Sequence, residues 1–322
     1  MKEEEALNVN YRRIGQTDLY CTGVAIGTWG IGGDFWGDVD DEESIRTIRA
    51  GLDAGLNIID TAPIYGKGRS ETVVGRAIQG YDRSKIILAT KVGMTFQGER
   101  SRDSSRTAVL REIDDSLRRL GTDYVDLYQV HWPDADTSFE ETFTTLDEIR
   151  KSGKARYIGV SNFSPEQIEE AARYCPISSV QPPYSLLDRA IEADLLPYSR
   201  EHGLGVLTYG SIGAGALTGK FKQRPVATTK DKRANFYPHF SPENWPKTEH
   251  LAAFLGEIAQ EHDCPTVHVA INWVLKQPGV SVALVGAKNP EQARMNAGAA
   301  EWSLTDEENA RIQAAYERIM AQ

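Results

Sequence analysis

Eight short apolar runs alternating with longer amphipathic segments predict an α/β fold: one closed, parallel (β/α)8 barrel, with a β-hairpin before it and a long loop after its seventh strand. Three observations carry this. The runs are continuously apolar, as strands buried on both faces must be. The segments between them show helical stripes and capping signals. There are eight runs, and eight strands enclose an interior that side chains just fill.

The elements follow in order. Tyr11-Arg12-Arg13-Ile14-Gly15 and Leu19-Tyr20-Cys21 read as a short hairpin plugging the bottom of the barrel. Strands are expected at 24–27, 57–60, 86–90 and 125–130, then at 155–160, 179–181, 206–209 and 282–285. In the third helix Val109, Ile113, Leu117 and Leu120 recur on one face. Ser138 with Glu141, and Ser164 with Gln167, have capping-box spacing, the second with Pro165 at the first helical position. Residues 210–246 form a long connection rich in Gly, Pro and basic residues, the kind of loop that serves as a lid or stays disordered. No composition shift or low-complexity tract divides the chain, so residues 1–322 are read as a single domain.

Composition excludes some functions. A net charge of −10 opposes nucleic acid or an anionic membrane as a partner, although a local basic cluster can still take a small phosphorylated ligand. The acidic start, Met1-Lys2-Glu3-Glu4-Glu5, lacks the apolar run of a signal peptide, and no stretch reaches the ~18 apolar residues of a membrane span. Cys21, Cys175 and Cys264 are widely separated and form no CxxC. They read as isolated reduced thiols of a cytoplasmic protein, without a catalytic role. The six histidines show neither HxH nor HExxH, and no metal is expected.

Barrels of this kind carry their chemistry at the C-terminal ends of the strands. Those positions hold Asp60 with Tyr65 close behind, Lys91, His131 before Trp132-Pro133, Ser161-Asn162 and Gln181. Each has an ordinary role open to it: a turn residue, a packed ring, a solvated charge. Together they read as a proton-delivery site for a carbonyl. A lysine directly after a buried strand needs a partner, and Asp60 supplies it. The cation is expected to lower the tyrosine's pKa towards neutrality, and His131 to hydrogen-bond the incoming oxygen. Trp29, Trp36 and Trp132 are candidates for the pocket wall.

A second constellation lies after strands seven and eight, where barrels often bind phosphate. Lys288 precedes Asn289-Pro290, a capped helix start that attracts anions, with Arg294 as a further candidate. The stretch Tyr209 to Lys220 superficially resembles a P-loop. Ala214 replaces the first glycine, however, and Phe221 replaces the Ser or Thr after the lysine. Gly30-Ile31-Gly32 likewise has Phe35 where a Rossmann fingerprint needs its third glycine. A glycine-rich loop ending in lysine can still cradle a pyrophosphate.

Asp60-Thr61-Ala62-x-x-Tyr65-Gly66, flanked by Asp53-Ala54-Gly55 and Ser70-Glu71, resembles the aldo-keto reductase signature. Lys91-Val92-Gly93, His131, Gly159 to Phe163 and Gln181 follow in that family's order. The stretches ending at Lys220 and running from Gly286 to Asn296 resemble its bacterial branch, near the potassium-channel β-subunit relatives. The resemblance implies a barrel, monomeric or weakly oligomeric, that uses NADP(H) to interconvert small carbonyl compounds and alcohols. It casts Tyr65 as general acid with Lys91, Asp60 and His131. Thr28 and Trp29 would line the cofactor site, Ser161, Asn162 and Gln181 would hold the carboxamide, and Tyr209 would stack on the nicotinamide. Gly210, Ser211, Ile212, Gly213, Leu217, Gly219 and Lys220 would wrap the pyrophosphate, with Arg233 as an extra phosphate ligand. Lys288 would meet the 2′-phosphate, and Gln292 and Asn296 the adenosine, with Gly286 also in the cofactor-binding set. Met295 stands where relatives often carry Glu, and Gly286-Ala287 where another branch has Lys-Ser, so selectivity for the 2′-phosphate rests on Lys288. The alternative it offers is a nicotinamide-binding regulatory subunit like the channel relatives.

Overall fold

The computed structural model describes residues 11–96 and 101–321, so the acidic start at residues 1–5 lies outside the described residues. Eight parallel strands close into a barrel. They are β1 (Val24–Gly27), β2 (Ile58–Asp60), β3 (Ile87–Val92), β4 (Val125–Val130), β5 (Ala155–Ser161), β6 (Ile177–Gln181), β7 (Gly205–Thr208) and β8 (Val280–Gly286). Each pairs with the next, and β8 closes the ring by lying beside β1, with Ala283 opposite Val24. This is the TIM-barrel arrangement.

Helices α1 (Asp41–Asp53), α2 (Arg69–Ala77), α3 (Arg106–Leu120), α4 (Phe139–Lys151), α5 (Pro165–Ala172) and α6 (Leu195–Glu201) follow the first six strands. After β7 come α7 (Trp245–Glu261) and α8 (Thr266–Lys276); after β8 come α9 (Pro290–Gly298) and α10 (Asp306–Met320). The α3 stripe of Val109, Ile113, Leu117 and Leu120 is buried against the sheet. Packing between α2 and α3 is close: a Cβ on Gly75 would lie 2.5 Å from the Arg119 carbonyl oxygen. Among the described residues no helix is long and apolar enough to cross a membrane.

Two expectations about caps and strands are corrected. Ser164 and Gln167 form a complete capping box. Ser138 accepts from the Glu141 amide, but the Glu141 carboxylate accepts instead from the Arg106 amide at the start of α3, so the box is half made. β3 also runs two residues past its expected end, placing Lys91 inside the strand rather than after it. A counter-charge on the neighbouring strand, Asp60, permits this.

Residues 210–246 are more ordered than a loop. They contain helical turns at Gly213–Thr218, Arg233–Phe236 and Pro238–Phe240, and Trp245-Pro246 already begin α7. A small apolar cluster of Ala216, Phe240 and Trp245 anchors them.

The barrel interior explains where the site forms. Ala25, Ile58, Ile87, Ala89, Leu127, Leu207, Val282 and Leu284 pack inside it. From below, the hairpin that pairs Arg12–Arg13 with Tyr20–Cys21 adds Ile14, Leu19 and Cys21 to the same cluster and seals that end. Side chains two apart on a strand share a face. Going up from Ile58, Ala89 and Leu127, the next inward positions are Asp60, Lys91 and Gln129. A polar layer therefore sits directly on the apolar one.

Candidate active site

Lys91 is fully buried and its ammonium is saturated. Nζ donates to Asp60 Oδ1 at 2.6 Å, to the Thr61 carbonyl at 3.0 Å and to Tyr65 Oη at 3.3 Å. An ammonium has three protons, and three acceptors take them. Because Lys91 donates to the phenol oxygen, the hydroxyl proton of Tyr65 is left to point elsewhere. Asp60 is held from its other side, where Oδ2 accepts from Gln181 Nε2 at 2.9 Å and from Gln129 Nε2 at 3.4 Å. Lys91 stays charged: attraction to Asp60 and Tyr65 outweighs burial and raises its pKa.

At Tyr65 the expectation of a lowered pKa is corrected. Loss of water around the phenol raises it, and the opposing pull of Lys91, itself neutralised by Asp60, does not overcome this. Tyr65 therefore holds its proton firmly. The His131 ring stands edge-on to it, 5.8 Å between centroids. Burial, then Lys91 and Arg102, push the imidazole pKa well below its usual value, so His131 is neutral.

The carboxamide candidates form a connected rim. Ser161 Oγ donates to the Gln181 carbonyl at 2.7 Å. Asn162, at a left-handed φ of 63°, donates to the His131 carbonyl at 3.0 Å and accepts from Tyr209 Oη at 2.8 Å. Gln181 gives its amide N–H to Asp60, which leaves its carbonyl oxygen as an acceptor at the rim. Thr28 is fully buried, and its hydroxyl donates to the Asp60 carbonyl, so that side chain braces the site from beneath.

The aromatic wall is partly as expected. Trp29 stacks near Tyr65 at 6.2 Å and meets Trp36 edge-on at 5.1 Å. Phe35 joins Trp29 at 5.3 Å and reaches Phe236 of the long connection at 5.2 Å; Tyr237 lies 6.4 Å from Trp36. Trp132 stands apart from this group, under the Arg102 guanidinium at 5.2 Å.

The second constellation is strongly basic. Lys220, Arg233 and Lys288 lie within each other's fields, and Asp231 is the acid paired with Arg233. Protein mass around the Lys220 ammonium, then Arg233 and Lys288, push its pKa down to about 8. Lys288 Nζ donates to the Trp36 carbonyl at 2.7 Å, and its amide to Gln292 Oε1 at 3.0 Å. Asn296 Nδ2 donates to the Gly286 carbonyl at 3.3 Å. Arg294 is exposed on α9. Leu217 and Ser211 are buried, so their side chains face the protein.

A sequence profile described as the Aldo/keto reductase family matches residues 23–317. The chain belongs to the aldo/keto reductase family. It is 39% identical to Aldo-keto reductase YhdN of Bacillus subtilis (strain 168), covering 97% of this chain and 95% of that protein. It is 35% identical to the NADH-specific methylglyoxal reductase of Escherichia coli (strain K12), over 91% and 94%. The solved glycerol dehydrogenase of Gluconobacter oxydans superposes with a TM-score of 0.87 at 39% identity, covering 97% of this chain and 96% of that one. Members of this family are oxidoreductases that use nicotinamide cofactors.

This aldo/keto reductase barrel suits such a dinucleotide. Gly213, Ala214 and Gly215 all have positive φ (57°, 53° and 91°), turning a short glycine-rich stretch beside three cations. The indole N–H of Trp36, in contact with that cluster, is buried with no partner among the described residues. Excess positive charge and an unpaired donor together suit phosphate oxygens. Gln129 is a site residue that strand ends alone do not mark. It lies one position inside β4, yet an amide in a run of buried residues, in register with Leu127, was a legible signal.

Proposed function

We propose that this aldo/keto reductase is an NADPH-dependent reductase of small aldehydes and ketones, with Tyr65 as the proton donor. The observation that carries the reading is the Asp60–Lys91–Tyr65 chain beside a neutral His131. When bound, a reduced nicotinamide supplies the hydride. The residues of the chain do the rest. His131 offers a ring N–H to the substrate's carbonyl oxygen, polarising it without adding a full charge. Tyr65, whose hydroxyl proton is not engaged by Lys91, passes that proton to the same oxygen as it becomes an alcohol. Lys91 stabilises the phenolate left behind, and Asp60 with Gln129 and Gln181 keeps Lys91 in place.

The preference for NADPH over NADH is supported by the cluster of Lys220, Arg233 and Lys288, which suits an additional phosphate. The partners in this reading are the dinucleotide and a small carbonyl or alcohol, taken by a monomer or weak oligomer, because one barrel carries both the basic cluster and the Tyr65 group. Parallel fluorescence titrations with NADPH and NADH test the reading. Tight binding that favours NADPH, followed by turnover of a simple aldehyde, is expected. Failure to bind either nucleotide would overturn it, and equal affinities would overturn the NADPH preference alone.

A further inference from the structure

Three successive carbonyls of the glycine-rich turn are held by side chains. His239 Nε2 meets the Gly213 oxygen at 3.0 Å, Arg233 Nη1 the Ala214 oxygen at 3.1 Å and Thr218 Oγ1 the Gly215 oxygen at 2.8 Å. The turn needs holding, because Ala214 sits at a left-handed φ of 53° that strains a residue with a Cβ. A carbonyl can only accept, so His239 carries its proton on Nε2. Burial pushes its pKa down to about 4, so the ring is neutral at physiological pH.

The same ring faces a second feature. It stacks on Tyr237 at 5.3 Å and lies tilted against Phe240 at 4.6 Å, and its backbone carbonyl is fixed by Thr248 Oγ1 at 3.0 Å. Tyr237 belongs to the aromatic wall beside Trp36, within the field of Tyr65. One imidazole thus touches the turn beside the basic cluster by its edge and the substrate wall by its face.

We propose that His239 is a positioning residue that couples the two halves of the site, its N–H holding the dinucleotide turn and its ring holding the wall residue Tyr237. The proposal rests on the functional reading above. Two substitutions separate its two contacts. His239→Phe keeps a ring against Tyr237 and removes the donor; His239→Gln keeps an amide donor and removes the ring.

The experiment measures NADPH Kd by fluorescence titration, together with KM and kcat for one aldehyde, on variants whose circular dichroism and Tm are recorded first. His239→Phe is expected to weaken NADPH about tenfold, the loss of one hydrogen bond, with the aldehyde KM nearly unchanged. His239→Gln is expected to restore most of the nucleotide affinity while raising the aldehyde KM severalfold. A folded His239→Phe variant with the parental Kd would overturn the proposal. So would equal losses of both quantities in the two variants, which a merely structural role predicts. If His239→Phe does not fold, the Gln variant decides: unchanged KM would overturn the coupling. Should the parent protein itself bind no nucleotide, the functional reading fails first.

Discussion

At Tyr65 two effects oppose each other, and burial wins: the phenol is harder to ionise than in water despite a lysine 3.3 Å away. A donor that keeps its proton until the substrate oxygen demands it suits reduction. Tyr65→Phe should therefore lower kcat at least about a hundredfold, because only a transition-state donor is lost. NADPH affinity, measured by fluorescence, should stay within about twofold. Retained turnover would remove Tyr65 from its role. For Lys288→Ala, NADPH should weaken by roughly tenfold or more, the range for a charge-assisted contact, while NADH stays level. Equal losses in the two titrations would put the additional phosphate elsewhere. The four central residues were legible in the sequence because each lies at or near a strand end. His239 was not, because its partner Gly213 is 26 residues away and no local pattern joins them.

Elements were legible wherever a period or a cap spoke, and less so where a distant partner decided. The α3 stripe and the Ser164 box read directly. The end of β3 did not: it depends on Asp60, a residue of another strand, which lets a charged side chain continue a buried run. The half-made cap at Ser138 has the same origin, since the amide at Arg106 competes for Glu141. Contact between α2 and α3 is similarly invisible in sequence, and it yields a prediction. Gly75→Ala would place a methyl group 2.5 Å from the Arg119 carbonyl oxygen, which neither helix can yield without shifting. A loss of about 1–3 kcal/mol is expected, read as a midpoint shift in urea at unchanged m-value. An unchanged midpoint would mean the two helices pack more loosely than described.

Over the whole molecule, buried histidines set the response to acid. Burial lowers the pKa values of His131, His239 and His268. As pH falls through about 6.5, an unfolded chain takes up protons on all three, while the folded chain keeps His131 and His239 neutral and protonates His268 later than the unfolded chain does. The unfolded state then binds more protons, and stability falls by up to ~1.4 kcal/mol per pH unit for each group. Glu112, raised to about 7 by burial, works the other way, because the folded chain keeps a proton that the unfolded one releases. His131 and His239 together outweigh it, and His268 adds to them, so the net is a loss. Calorimetric Tm should thus decline steadily from pH 6.5 to pH 5, and a flat or rising Tm would mean the histidines are hydrated. The hairpin under the barrel has a different consequence. Since it stoppers one pole and the candidate site lies at the other, the base carries none of that site's side chains among the described residues. Exposed Asp18 and Tyr20 stand on that base, so a surface tether or dye attached there leaves the working mouth facing outward and unobstructed.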